Sequence, residues 1–153
     1  MMRYLVLLAG LGVSFFSQAH EVHASNIDVT VVKNQVEVLQ TTSVHDSQLI
    51  AKQLGAKGDS HQSTLAAMST GWQIQSENGL CNLKKQAYRL THHESQLQMR
   101  YLFNCEQNAA TSLALPWFNL APNDHFIIMK LTMNNQSETV IFQKQDLVID
   151  LTI

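Results

Sequence analysis

Seven histidines are the residues of this chain best equipped for chemistry: His20, His23, His45, His61, His92, His93 and His125. Neutral imidazole is the commonest side-chain metal ligand and suits zinc, copper and nickel. With two cysteines in the chain, a site here is expected to use nitrogen and oxygen donors. If His20 is the first residue after processing, its α-amino group and imidazole can chelate one ion in a compact ring. His23 is three residues on, so a continuous strand would point it to the other face, and a bend before Ile27 would bring it back. The plainer reading of this pair is a frayed terminus with two solvated rings. His92 and His93 lie between Leu90 and Leu97, beside Glu94 and Ser95, in what reads as a loop or hairpin tip; an ordinary polar turn is the alternative. His125 follows Asp124 in a loop, where a neighbouring carboxylate can ligate or orient the ring, although a single loop histidine is more often structural. His45 stands beside Asp46 at a helix start, and His61 falls in the first turn of a second helix; both read as surface residues. The candidate ligands are therefore His20, His23, His92, His93 and His125, with zinc the first expectation and nickel or copper behind it.

Catalytic patterns are weaker. Ser43-Val44-His45-Asp46 holds the residue types of a triad, but local order says nothing of triad geometry. The chain has neither a G-x-S-x-G elbow nor an H-E-x-x-H helix. Gly55 to Gly58 is too short to cradle phosphate, and Asp59 stands alone, so no calcium loop is expected. The expectation is a binding protein rather than an enzyme. Trp117 and Phe118 read as core, with an exposed partner patch as the alternative.

The first nineteen residues bear on how these histidines are delivered. Met1-Met2-Arg3 is a basic start, Tyr4 to Phe16 is apolar and uncharged, and Ser17-Gln18-Ala19 offers small residues for cleavage. This is the pattern of a secretory signal peptide, and it is too short for a good membrane span. Cleavage after Ala19 would expose His20; a second site after Ala24 would remove both His20 and His23. Residues 20–153 then suit a single domain, and no second apolar run of spanning length follows, so a soluble periplasmic protein is expected.

The net charge is −2 and no basic stripe is present, which argues against nucleic acid as a partner. In an oxidising compartment Cys81 and Cys105 are expected to form a disulfide. A two-thiolate metal site is the alternative, but no C-x-x-C spacing favours it.

Alternating apolar residues mark most of the chain as strand. Ile27, Val29 and Val31, a turn at Lys33-Asn34, then Val36 and Val38 read as an antiparallel hairpin. Asp46 is a good helix N-cap; Leu49, Ile50 and Leu54 form a stripe, and Gly55 is a stop. Asp59 or Ser60 can cap a second helix carrying Leu65 and Met68 and ending at Gly71. Trp72 and Ile74, the Asn78-Gly79 turn, Cys81 and Leu83, the run Leu97 to Phe103, Leu113 and Leu115, the run Ile127 to Met133, Val140 and Phe142, and Leu147 to Leu151 read as β. Pro116 to Asp124 reads as a loop. Seven or eight short strands with two helices after the first hairpin predict a mainly β, α+β antiparallel sandwich.

The order of these features resembles the periplasmic zinc-uptake accessory family typified by zinc-regulated ZrgA-type proteins. The resemblance rests on histidines just before the first strand and a short helical segment before the first cysteine. It continues in His92-His93-Glu94-Ser95 leading to Tyr101-Leu102-Phe103-Asn104-Cys105, then Leu113-Ala114-Leu115, Phe118, and Leu147 to Leu151. Members usually hold a long His-rich tract between the two cysteines, where this chain has only His92 and His93. The chain is also similar to the periplasmic N-terminal domain of HupE/UreJ-like nickel or cobalt permeases, in its Ala19-His20 start, its two cysteines and Pro122-Asn123-Asp124-His125. Both resemblances imply an exported β domain that handles a divalent metal in company with an inner- or outer-membrane metal transporter. The competing expectation is an envelope interaction module without metal.

Overall fold

The computed structural model describes residues 22–143 and 147–152. The expected signal peptide and His20 lie outside the described residues. The fold is mainly β: two sheets packed as a sandwich, with two helices and no closed barrel.

The first hairpin joins β1 (Ala24–Val32) to β2 (Gln35–Ser43), turning at Lys33, whose φ is 54°. Helices α1 (Val44–Gln53) and α2 (His61–Thr70) follow directly. After them come β3 (Gln73–Ser76), β4 (Gly79–Leu80), β5 (Asn82–Thr91), β6 (Gln96–Asn104) and β7 (Ala110–Ala114). A 3-10 helix spans Pro116–Leu120, and β8 (Phe126–Met133), β9 (Gln136–Phe142) and β10 (Val148–Asp150) complete the described elements.

The six-stranded sheet runs β5-β6-β2-β1-β8-β9, and the four-stranded sheet runs β10-β7-β3-β4. Neighbours pair antiparallel except β1 and β8, which are parallel and register Ala24 with Phe126. Strand period sends alternate residues of the four central strands, β6, β2, β1 and β8, inward. Ile27 and Val29, Val36 and Val38, Leu97 to Phe103 at alternate positions, and Ile127 and Met129 are all buried. Ile74 and Leu113 meet them from the smaller sheet as part of one core.

Both helices cap themselves as the sequence allows, with one correction. The N-cap of α1 is Ser43, not Asp46: the Ser43 hydroxyl accepts the Asp46 backbone N–H at 3.0 Å. Asp46 is thus displaced into the first turn, where it is buried. Ser60 caps α2 in the same way, accepting from the Ser63 N–H at 3.1 Å. Gly71, after α2, is a close approach: a Cβ there would sit 2.6 Å from Trp117 Cβ. Three other expectations are refined. The segment that holds Trp117 and Phe118 is a 3-10 helix, and both of those side chains are buried. Residues 148–150 join β7 in the smaller sheet rather than extending the sheet that holds β9. Ten strands are formed among the described residues rather than seven or eight, because β4 and β10 are very short.

Cys81 and Cys105 form a disulfide, joining the start of β5 to the end of β6. Neither sulfur is left to ligate an ion.

Candidate metal centre

The inward face of the large sheet is apolar along most of its length and polar at one end. Ser25 shares its parity with Ile27 and Val29, while Gln40 and Thr42 share theirs with Val36 and Val38. All three are fully buried, and Ser25 registers with Thr42 across the hairpin. Buried polar groups need partners, and these three find them in one another and in the elements that meet at this end.

Three segments distant in sequence converge there: the approach to β1, the first turn of α1 and the residue before β8. His23 Nδ1–H donates to the Asp46 carboxylate, 2.9 Å from Oδ1 and 3.0 Å from Oδ2. His125 Nδ1 lies 3.7 Å from Asp46 Oδ2. One donor atom from each of His23, Asp46 and His125 lies within 4.8 Å of the other two. Asp46 and His125 are buried, whereas the His23 side chain is 20 % exposed and forms the solvent side of the group. The parallel pairing of β1 with β8 explains the convergence. The Phe126 N–H donates to the His23 carbonyl at 3.1 Å, which sets His23 beside His125 one step before the registered strands.

Each member is held from behind. Asp46 sits in the first turn of α1, where the helix dipole favours a negative charge. His125 Nε2 is 2.9 Å from Ser25 Oγ, and the Trp117 and Phe118 rings meet its ring edge-on with centroids 6.1 and 6.2 Å away. Ser25 Oγ is 2.6 Å from Thr42 Oγ1; Gln40 Nε2 donates to Thr42 Oγ1 at 3.2 Å, and Trp72 Nε1 donates to Gln40 Oε1 at 3.2 Å.

Two chemistries use such groups. Zinc bound tetrahedrally at 2.0–2.1 Å holds neighbouring donor atoms about 3.3 Å apart. The separations of 2.9, 3.0 and 3.7 Å bracket that value. Two imidazoles and a carboxylate, with a position left for water or another ligand, suit a divalent transition metal. A serine, a histidine and an aspartate in line also have the order of a hydrolase triad. Ser25, however, has no exposed surface and its hydroxyl is engaged with Thr42, which leaves a substrate carbonyl no approach.

Of the expected ligands, the structure brings together His23 and His125. His92 and His93 lie exposed at the β5–β6 hairpin tip, both with φ near +50°, and take no part in the group. His45 is exposed, and the His61 ring meets Tyr88 at a tilt, with centroids 5.8 Å apart. Asp46 is the member that sequence reading missed, having been assigned to capping; Ser25, Gln40 and Thr42 were missed as its supports. The signal for the supports was present: polar residues at core parity in two strands.

No protein-family model matches the chain, and no curated protein sequence matches it.

Proposed function

We propose that this chain is an exported divalent-cation binding protein, zinc first with nickel and copper behind it, which serves a membrane metal transporter from the periplasm. The convergence of His23, Asp46 and His125 carries this reading. Its donors are those that borderline divalent ions prefer, one ring reaches solvent to admit an ion, and the other two members are fixed by helix α1 and by Ser25. No helix among the described residues is long and apolar enough to cross a membrane. Cleavage after Ala19 keeps His23 and the group; cleavage after Ala24 would remove His23. The competing interaction module was to rest on Trp117, Phe118 and the Gln/Asn-rich surface; of these, the two rings are buried.

The test is calorimetric titration of residues 20–153 with zinc, nickel and copper, with thermal melts alongside. One ion per chain and a raised melting temperature are expected. Copper or nickel should also quench tryptophan emission, because Trp117 lies 6.1 Å from His125. No heat, no quenching and no melting shift with any of the three ions would reject the proposal. Mass spectrometry of the exported N-terminus tests the processing site.

A further inference from the structure

Trp72, Gln40, Thr42, Ser25 and His125 form one hydrogen-bonded chain, and its direction follows from the donors it contains. Indole Nε1–H can only donate, so Gln40 must present its oxygen to Trp72 and its amide nitrogen to Thr42. Thr42 Oγ1 therefore accepts from Gln40, and Ser25 Oγ, 2.6 Å away, is the acceptor within reach of its own single hydrogen among the described residues. One hydrogen fills that gap, so the Ser25 hydrogen points onward to His125 Nε2 at 2.9 Å. Nε2 is then an acceptor, and the neutral ring carries its proton on Nδ1, the atom that faces Asp46 at 3.7 Å.

From this geometry we infer that Ser25 and Thr42 are positioning residues that hold His125 in its Nδ1–H tautomer, opposing cation entry so that a bound ion can be released. The inference rests on the metal reading above. For Nδ1 to bind a cation, its proton must leave to solvent and Nε2 must take one up. Both hydroxyls then reverse: Ser25 accepts from Nε2–H and donates to Thr42, and the Thr42 hydrogen loses the acceptor it had. The ring stays neutral throughout and no net proton is gained or lost by it. The free-energy difference between the two chain directions lowers the affinity of the site, which suits a carrier that hands its ion on.

Nitrogen-15 NMR of the His125 side chain in metal-free protein reads the tautomer directly. Protonated Nδ1 with unprotonated Nε2 is expected, and protonated Nε2 would overturn the inference. Thr42→Val removes the hydroxyl that fixes the direction and lets Ser25 accept from Nε2–H. The ring should then shift toward the Nε2–H tautomer and zinc should bind about ten-fold more tightly, the scale of effects from groups behind metal ligands. A purely structural role predicts the opposite sign, so weaker or unchanged binding in a folded Thr42→Val protein would overturn the proposal. If Thr42→Val does not fold, the wild-type tautomer still decides. Absence of zinc binding in every variant would fall on the metal reading instead and leave the tautomer result standing.

Discussion

Asp46 and His23, separated by 23 positions in sequence, meet at 2.9 Å between a carboxylate oxygen and Nδ1. Asp46 reaches this position because Ser43 performs the capping: the helix begins three residues earlier than an Asp46 cap would require, and the carboxylate turns inward. Substituting Asp46→Asn keeps the shape and removes the charge. Zinc affinity should fall by at least about 100-fold, the upper end of effects from groups one shell further out. His92→Ala and His93→Ala, on the exposed hairpin tip, should leave it unchanged. Titration of the three variants in parallel checks both statements, and equal losses in all three would remove the assignment.

Gly71 stands where α2 ends, against the 3-10 helix that carries Trp117. A methyl group at Gly71 would meet Trp117 Cβ at 2.6 Å and Leu54 Cδ1 at 3.2 Å. Backbone-borne Cβ atoms cannot swing aside, so Gly71→Ala should cost about 1–3 kcal/mol through overpacking. Because Trp117 walls the His125 ring, zinc binding should weaken with it. Urea unfolding and titration of the variant measure the two effects.

Tyr101 lies in the core beneath Trp72, its hydroxyl donating to Met99 Sδ at 3.2 Å. Burial pushes its phenol far above the usual tyrosine range. A raised folded-state pKa means that the folded protein holds a proton the unfolded chain would release. This contribution is complete below the unfolded tyrosine pKa of about 10 and is lost as pH rises beyond it, by about 1.4 kcal/mol per pH unit. Melting temperatures between about pH 9 and 11.5 should fall more steeply for the wild type than for Tyr101→Phe, which lacks the ionisable group. Parallel curves would show that Tyr101 does not govern alkaline unfolding.

The disulfide lies far from the candidate metal site along β2. Cys105 donates its N–H to the Asn34 carbonyl at the hairpin turn, whereas Thr42 lies toward the opposite end of that strand. Reduction, or Cys81→Ser with Cys105→Ser, should cost roughly 3–4 kcal/mol in the chain-entropy view of a closed loop this long. The zinc Kd of the folded fraction should not change. Denaturation and titration with and without reductant separate the two effects.

Much of the architecture could be read locally. The Val36 and Val38 alternation, the Lys33-Asn34 turn, the leucine and methionine stripe of α2 and its Gly71 stop all lie in windows of a few residues, and each formed as read. The partnership of Cys81 and Cys105 followed from their being the two cysteines in a chain expected to be exported. Position in a sheet was less legible: residues 148–150 carry strand pattern, but nothing in that pattern says which sheet they join.

The candidate metal group divides along the same line. Sequence alone supplied the imidazoles and the apolar parity of the strands; the polar interruptions at Ser25, Gln40 and Thr42 stood in the same pattern but went unread. Tertiary structure alone brought His23 and His125 together with Asp46 and left His92 and His93 apart from them. That grouping depends on β1 running parallel to β8, a pairing across about a hundred residues. Periodicity records which face a side chain takes along its own strand; the register between strands so far apart is settled only when the whole core closes around them.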